Sequence, residues 1–552
     1  MHGADRNRAP RHTDQAVVLV GNPDIVDMGG SAAVERRCGS GNPAVPFGAD
    51  VGRGKIDPGD GVGLDVDCGR GRERCSGFGE QGGDPAVEKA EVLAVTVVDG
   101  EGESGTLGGD LDDLDPERHE DCSFSAFGEQ VHECLAVHEV SRRGRCGRAE
   151  GHYTRGTMSG DAMVRTGMDA LARDDAVVAG RRVALLANQA AVTRELTPAW
   201  EVVRASRGTL IRMLTPEHGL WGVAQDMEAV TTGSEVGAGI PAVSLYGKDA
   251  ASLRLDPGLL DDVDALLIDL PDIGCRYYTF AATMAHALAA CEVAGVEAIV
   301  LDRPNPIGGI ACEGGPVAPE CVSFVSELPV PVRHGLTLGE LALFVKSQRH
   351  QNLQLTIVPC VGWRRGMWWD ETGLPWVGPS PNMPTLLAAA LYPGACLVEA
   401  TTLSEGRGTT RPFQLIGAPW IDGEALAAGL NALGLPGCGF RATKFRPQFQ
   451  KHGGAVCGGV EWHVTDRLAM RPLEAGIRLL AAVRRLDPER FGWRLEPYEF
   501  ISDVPAIDLL TGSAAARLAI EGRGDLDGLL TAWSAFCDRW ADERRGVLLY
   551  PV

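Results

Sequence analysis

The chain has 552 residues and a formal net charge of -22 at pH 7. This length accommodates two or three domains. The acidic balance argues against nucleic acid or an anionic membrane as the main partner, because a protein that binds a phosphate backbone needs a basic face. The sequence contains no apolar run of about eighteen residues or more, so no membrane span is predicted.

Residues 1–157 differ in composition from the rest of the chain. They are rich in glycine and arginine, contain none of the 11 tryptophans, and show neither a helical nor a strand period. Such a composition predicts a largely disordered or irregular extension. A sharper hypothesis is that the segment is translated from DNA upstream of the true start, with Met158, Met163 or Met168 as the initiator. Peptides from this segment in mass spectra of the native protein would contradict that hypothesis.

The sequence also bears on location. Neither Met1 nor Met158 is followed by a segment that resembles a secretory signal. The 15 cysteines form no CxxC pair or regular framework, which favours free thiols in a reducing compartment. We therefore expect a cytoplasmic protein, unless the true start lies elsewhere and export follows from it.

From Met158 onward, apolar runs alternate with helical patterns. Continuous Val, Ile and Leu runs separated by helices are typical of a parallel sheet whose strands are buried on both faces. The pattern predicts strands within 181–189, 209–219, 264–274, 297–306 and 353–363, and helices at 198–206, 278–295 and 337–348. Residues 158–394 are accordingly predicted to form an α/β domain.

The pattern becomes less regular after residue 394. A glycine-rich turn is followed by helical candidates at 424–434 and 472–486. We predict a second, smaller α/β domain over residues 395–552.

Polar segments follow four of the predicted strands. In open parallel sheets, ligands bind beyond the carboxyl ends of the strands. The segments in question are Asn188-Gln189, Pro216–Gly219, Asp269–Tyr278 and Asp302–Pro306. Ordinary solvent-exposed turns are polar too, but four in succession favour a site at this edge.

Glu217 and His218 are the pair with the clearest potential for chemistry. Apolar neighbours would desolvate Glu217 and keep it protonated, as a general acid requires. A helix cap or a surface turn explains the same residue types equally well. Metal binding is a weaker alternative, because the segment lacks a spacing such as HExxH.

The segment DLPDIGCRYYTF supplies Asp269, Asp272, Arg276, Tyr277 and Tyr278. Aromatic rings beside carboxylates and an arginine suit a sugar, which has an apolar face and many hydroxyl groups. Alternatively, Asp272 caps the following helix and the tyrosines pack in the core.

The segment SEGRGTT places Glu405 and Arg407 among glycines. Its arginine could bind a carboxylate, or form a surface ion pair in a tight turn. The chain lacks a GxxxxGK[ST] loop, a GxGxxG turn after a strand and a GxSxG elbow, so a nucleotide cofactor and a serine nucleophile are not supported.

Taken together, these strings resemble one family. The motifs, in chain order, are PEHG, SLYG, DLPDIGCRYYTF, LDRPNPIGG, PVRHGLTLGELA, WVGPSPNMPT, LYPG, SEGRGTTRPF and GAPW. They are similar to those of the exo-β-N-acetylmuramidases and extend from about residue 181 to residue 495. The resemblance implies a Rossmann-like domain and a smaller C-terminal domain that closes a cleft. It also implies removal of terminal N-acetylmuramic acid (MurNAc) from β-1,4-linked peptidoglycan fragments, without a metal or other cofactor.

The resemblance further implies roles for individual residues. Glu217 would be the catalytic acid with His218 beside it, and Asp269, Asp272 or Glu405 would be its partner. MurNAc carries a lactyl carboxylate, for which an arginine is needed. The residues expected to bind substrate are Asn188, Arg276, Tyr277, Tyr278, Arg303, Asn305, Asn382, Glu405 and Arg407.

Two positions depart from the family pattern. Pro271 replaces a glutamine and Thr402 replaces an asparagine, which leaves open a glycosidase for another amino sugar. A non-catalytic muropeptide-binding protein is a second alternative, while an amidase or esterase is disfavoured. Double displacement, inversion and participation of the substrate's acetamido group all remain possible mechanisms.

Overall fold

The computed structural model describes residues 163–552, except 231, 232, 234, 237 and 238, together with four short strands nearer the N-terminus. The chain divides into two units, residues 1–152 and 153–552. The first contains two antiparallel hairpins, β1 (Gly63–Asp67) with β2 (Arg72–Ser76) and β3 (Val95–Val98) with β4 (Ser104–Leu107). The remainder of residues 1–162, which the disorder prediction and the start-site hypothesis concern, lies outside the described residues.

The second unit is built on a seven-stranded sheet. Its strands are β5 (Arg182–Ala187), β6 (Thr209–Thr215), β7 (Glu235–Val236), β8 (Ile240–Ser244), β9 (Ala265–Asp269), β10 (Glu297–Leu301) and β11 (Leu355–Val358). The spatial order is β11-β10-β9-β5-β6-β8-β7, and β7 alone runs antiparallel to its neighbour. Counted in chain order, the six parallel strands have the order 6-5-4-1-2-3 of a doubly wound Rossmann fold, and the two halves diverge between β5 and β9.

Both faces of this sheet are buried. Alternate side chains of β5 enter two separate cores: Ala184 and Leu186 join one, while Val183, Leu185 and Ala187 join the other. This explains why the strands read as continuous apolar runs instead of alternating with polar residues.

Helices cover the two faces of the sheet and continue into the C-terminal part. They are α1 (Gly167–Arg173), α2 (Ala199–Ala205), α3 (Phe280–Ala294), α4 (Leu338–Arg349), α5 (Trp369–Thr372), α6 (Leu386–Ala395), α7 (Gly423–Asn431), α8 (Pro472–Leu486), α9 (Ala506–Thr511), α10 (Ala515–Ile520) and α11 (Leu526–Glu543). A second, antiparallel sheet has the order β12-β14-β13, formed by Leu415–Ala418, Cys457–Val464 and Cys438–Phe445. None of the helices that the structure describes is long and apolar enough to cross a membrane.

The predicted α/β architecture is confirmed, with a Rossmann-like sheet and a smaller C-terminal α/β region. Every strand and helix named from the sequence is present, α8 with the predicted bounds. The elements of residues 163–552 that were not named from the sequence are β7, β8, the three strands of the antiparallel sheet, α1, α5, α6 and the three helices after residue 505. The division at 394/395 stays a prediction, since the main hydrophobic core includes residues from both sides of it.

A close helix crossing joins the two parts. A Cβ atom added to Gly476 on α8 would lie 2.4 Å from the carbonyl oxygen of Gly394 on α6. We expect Gly476→Ala to lower the free energy of unfolding by about 1–3 kcal/mol, because the helices must separate. The control is Gly429→Ala on α7, where no atom lies within 4 Å. That change should stabilise the protein by about 0.5–1 kcal/mol. Chemical denaturation measures both, and equal effects would contradict the steric argument.

Candidate active site

Glu217 lies just beyond the carboxyl end of β6. The two residues after it, His218 and Gly219, have φ angles of 71° and 76°, so the chain turns sharply at this point. A non-glycine residue in the left-handed region is uncommon and is often found at functional sites. His218 is held by a hydrogen bond from its Nδ1 to the carbonyl oxygen of Ala224 (2.9 Å). The turn therefore fixes Glu217 in a buried position, with 5% of its surface exposed.

Both carboxylate oxygens of Glu217 accept hydrogen bonds. The backbone N–H of Met227 donates to one (3.2 Å) and the hydroxyl of Thr279 to the other (2.7 Å). Thr279 is the N-cap residue of α3, yet its side chain makes no capping bond to that helix. Two donors and the N-terminus of a fifteen-residue helix suit a negative charge at Glu217.

A pocket surrounds these groups, and we call it the central pocket. Its walls come from the Rossmann-like part and the C-terminal part of the same compact unit. It is lined by Glu217, His218, Asp226, Tyr278, Thr279, Ser380, Asn382, Met383, Tyr392, Glu399, Arg407, Phe413, Tyr498 and Glu499. Several carboxyl groups and aromatic rings thus face a common space, which suits a ligand with many hydroxyl groups.

Arg407 is the centre of a buried ion cluster on one side of the central pocket. Its guanidinium lies 2.6 Å from Glu399, 3.3 Å from Glu405 and 3.4 Å from Asp226. Burial opposes the charge of Arg407, but the three carboxylates outweigh it and raise its pKa. Lys451 also binds Glu405 (3.0 Å). The positive charge of Arg407 is therefore already balanced within the protein.

Glu499 enters the central pocket from a strained turn. Tyr498 and Ile501 exchange two backbone hydrogen bonds (2.9 and 3.0 Å) around Glu499 and Phe500, whose φ angles are 47° and 65°. Hairpin turns of this kind prefer asparagine and glycine at these positions, and other residues there cost on the order of 1 kcal/mol each. Burial raises the pKa of Glu499, and the nearby carboxylate of Glu217 raises it further.

A separate small pocket lies at the carboxyl ends of β5, β9 and β10, and we call it the tryptophan pocket. It is lined by Pro271, Asp272 and Arg303 and by the rings of Trp369 and Trp376, among others. One oxygen of Asp272 accepts a hydrogen bond from the N–H of Gly274 (2.7 Å), and the other has no partner among the described residues. Burial raises the pKa of Asp272 to about 7. Asp272 does not line the central pocket.

Other predicted site residues hold the fold together. Asp269 forms a buried, two-contact ion pair with Arg303, in which Nη2 donates to Oδ2 at 2.8 Å. Arg276 donates to the carbonyl oxygens of Gly315, Val330 and Leu510. Three more predicted site residues donate side-chain hydrogen bonds to backbone carbonyl oxygens. Asn188 donates to Pro379, Asn305 to Leu336 and Tyr277 to Pro393.

The structure thus gathers only part of the predicted set. Five predicted residues line the central pocket: Glu217, His218, Tyr278, Asn382 and Arg407. Glu405 does not line it but forms an ion pair with Arg407. Sequence reasoning missed nine of the lining residues. Thr279, Ser380, Met383, Tyr392 and Phe413 lie within recognised motifs, which was a usable signal, whereas Asp226, Glu399, Tyr498 and Glu499 lie outside them.

The strand order defines a Rossmann-like protein, and the carboxyl groups and aromatic rings of the central pocket suit a polar ligand. Two family models match the chain, one described as the N-terminal part of the exo-β-N-acetylmuramidase NamZ over residues 183–387 and one as its C-terminal part over residues 390–550. The chain therefore belongs to the exo-β-N-acetylmuramidase family, a family of glycoside hydrolases, as the sequence motifs predicted.

Three individual proteins are similar to this chain over most of their length. The peptidoglycan β-N-acetylmuramidase NamZ of Bacillus subtilis (strain 168) is 38% identical over 389 residues, which are 70% of this chain and 91% of that protein. The crystal structure of a DUF1343 family protein from Bacteroides fragilis NCTC 9343 is similar with a TM-score of 0.63 and 31% identity, over 70% of this chain and 99% of that one. A second such protein from the same organism gives a TM-score of 0.55 and 26% identity, over 71% and 99% of the two chains.

Proposed function

We propose that this protein is an exo-acting glycoside hydrolase that releases terminal β-1,4-linked MurNAc from peptidoglycan fragments, and that the central pocket is its active site. The observation that carries the proposal is the buried carboxylate of Glu217, at the carboxyl end of β6, in a chain that belongs to this family throughout residues 183–550. A glycosidase needs a carboxyl group beside the scissile bond in a site from which water is largely excluded.

The lactyl carboxylate of MurNAc must also be accommodated. From the sequence, Arg407 could either bind this carboxylate or form an ion pair, and the structure surrounds it with three carboxylates. Of these contacts, the one to Asp226 is the longest (3.4 Å). We propose that the substrate carboxylate replaces Asp226 at Arg407, since an exchange of one carboxylate for another keeps the charge of the cluster unchanged.

The test is a comparison of two disaccharides. The purified full-length chain is incubated with MurNAc-β-1,4-GlcNAc and with GlcNAc-β-1,4-MurNAc, and the products are identified by mass. We expect free MurNAc from the first substrate alone. Binding of the disaccharide without turnover would instead indicate a non-catalytic muropeptide-binding protein, and turnover of another amino sugar alone would indicate a different glycosidase.

Residues 1–157 should be dispensable for this activity. All residues of the central pocket and both family matches lie after them. A chain that begins at Met158 is therefore expected to release MurNAc at about the rate of the full chain. A large loss of activity in a folded, truncated protein would show that the extension contributes to the site.

We also propose a role in the cytoplasm, in the recycling of imported wall fragments. The nine cysteines of residues 163–552 are all free, six of them buried, which suits a reducing compartment. Fractionation of native cells would test this location directly.

A further inference from the structure

From the sequence alone, the partner of Glu217 is open among Asp269, Asp272 and Glu405. Asp269 is fully buried in its ion pair with Arg303, Asp272 lines the tryptophan pocket, and Glu405 is engaged by Arg407 and Lys451. Among the residues that line the central pocket, Asp226 and Glu399 are likewise bound to Arg407. Glu499 is the remaining carboxyl group of the lining, and it has no ion pair with any described cation.

The surroundings of Glu499 favour its protonated form. The groups that face it are the carboxyls of Glu217, Glu399 and Asp226 and the hydroxyl of Tyr246. Tyr246 donates a hydrogen bond to one oxygen of Glu499 (2.9 Å) and is itself fully buried. Two neighbouring carboxyl groups in a dry site cannot easily both ionise, so such a pair tends to share one proton. Glu217, with two donors and the N-terminus of α3, is the better place for the charge.

We propose that Glu499 is the second carboxyl group of the active site and that it holds the proton taken up by the leaving sugar. The inference rests on the proposed function and identifies the partner of Glu217. It gives the strained turn at residues 499 and 500 a function, since the turn delivers this side chain to the central pocket. It also gives the SLYG motif a role, because its Tyr246 positions Glu499.

The proton balance of the proposed step is simple. The O–H bond of Glu499 breaks as the bond between the anomeric carbon and the leaving oxygen breaks, and the proton goes to that oxygen. Water supplies the hydroxyl group that ends on the anomeric carbon. The second proton of that water returns to the Glu217–Glu499 pair, so the pair ends each turnover with the one proton that it held at the start.

The experiment compares two leaving groups in the full-length protein. One substrate is MurNAc-β-1,4-GlcNAc, and the other is 4-nitrophenyl β-MurNAc, whose nitrophenolate leaves without protonation. We expect Glu499→Gln to lower kcat about a hundredfold or more on the disaccharide but less than about tenfold on the aryl glycoside. Glu489→Gln, the same change at an exposed position, should leave both rates unchanged.

Two results would overturn the assignment. One is an equal loss on both substrates, which a merely structural role would give, and the other is a wild-type rate of Glu499→Gln on the disaccharide. If the wild-type protein turns over neither substrate, the proposed function itself fails and the inference fails with it. Wild-type turnover with an unaffected variant overturns the role of Glu499 alone.

A second variant keeps the test decisive if Glu499→Gln does not fold. The hydroxyl of Tyr246 stabilises the ionised form of Glu499, so Tyr246→Phe should raise the pKa of Glu499 further. Because the acid must be protonated to act, the alkaline limb of the kcat profile should move to higher pH. A limb that stays in place would contradict the assignment.

Discussion

Replacement of Glu217 by glutamine should abolish most turnover while the protein stays folded. We expect kcat/KM on MurNAc-β-1,4-GlcNAc to fall about a thousandfold or more, which corresponds to roughly 4 kcal/mol of lost transition-state stabilisation. The glutamine has nearly the same shape, and its carbonyl oxygen can still accept a hydrogen bond from Met227 or Thr279. What it loses is the negative charge and the ability to exchange a proton.

The control for this experiment is Glu201→Gln, which makes the same change at an exposed position in the first turn of α2. It should leave the steady-state rates unaltered. Thermal melting of both variants and of the parent protein establishes that they are folded. Activity of Glu217→Gln close to that of the parent protein would rule out the central role of Glu217.

The aryl glycoside separates the roles of the two carboxyl groups. If Glu499 holds the proton and Glu217 carries the charge, the nitrophenyl leaving group should restore much of the rate to Glu499→Gln and little to Glu217→Gln. The opposite pattern would return the acid role to Glu217, as the sequence analysis expected. The two variants thus distinguish which carboxyl is the acid.

The sequence predicted the site correctly where a functional residue directly follows a strand of the parallel sheet. Continuous apolar runs predicted strands that are buried on both faces. The rule that ligands bind beyond the carboxyl ends of such strands then indicated Glu217 as a candidate site residue. The same rule also selected Asn188, Asp269 and Arg303, which the sheet uses to tie its strand ends to neighbouring loops. Residue type alone cannot distinguish a polar group that binds a ligand from one that satisfies a buried partner.

The partner of Glu217 could not be predicted for a different reason. Glu499 is 282 residues further along the chain, in a turn that breaks the usual preference for asparagine and glycine. Nothing in the local pattern indicates that this turn reaches β6, because the contact depends on how the C-terminal part packs on the Rossmann-like sheet. The strand β8 was missed because it contains a proline and only one of its five residues is buried, so it lacks the continuous apolar run of the central strands.

For Asp269, a catalytic role and a structural role predict opposite effects of a substitution. Its side chain is fully buried, and Arg303, with 5% exposure, binds both of its oxygens. Asp269→Asn would leave the guanidinium buried without a counter-charge. We expect the free energy of unfolding to fall by about 3–5 kcal/mol, while kcat of the folded fraction stays close to that of the parent protein. A catalytic role predicts the reverse, a large loss of kcat with unchanged stability.

Two measurements together distinguish the catalytic role from the structural role. Chemical denaturation gives the free energy of unfolding, and kinetics normalised to the concentration of active sites give kcat. Asp264→Asn is the matched control, because Asp264 also pairs with an arginine, Arg182, beside the same sheet, but both partners are well exposed. Its effect on stability should be far smaller, since water already screens an exposed pair.

The double variant Asp269→Leu/Arg303→Met should recover a large part of the lost stability, because it removes both buried charges instead of leaving one alone. If stability is not recovered, the fold requires the ion pair itself. Arg303 also donates a hydrogen bond to the carbonyl oxygen of Val192 (2.9 Å), which the double variant would lose as well.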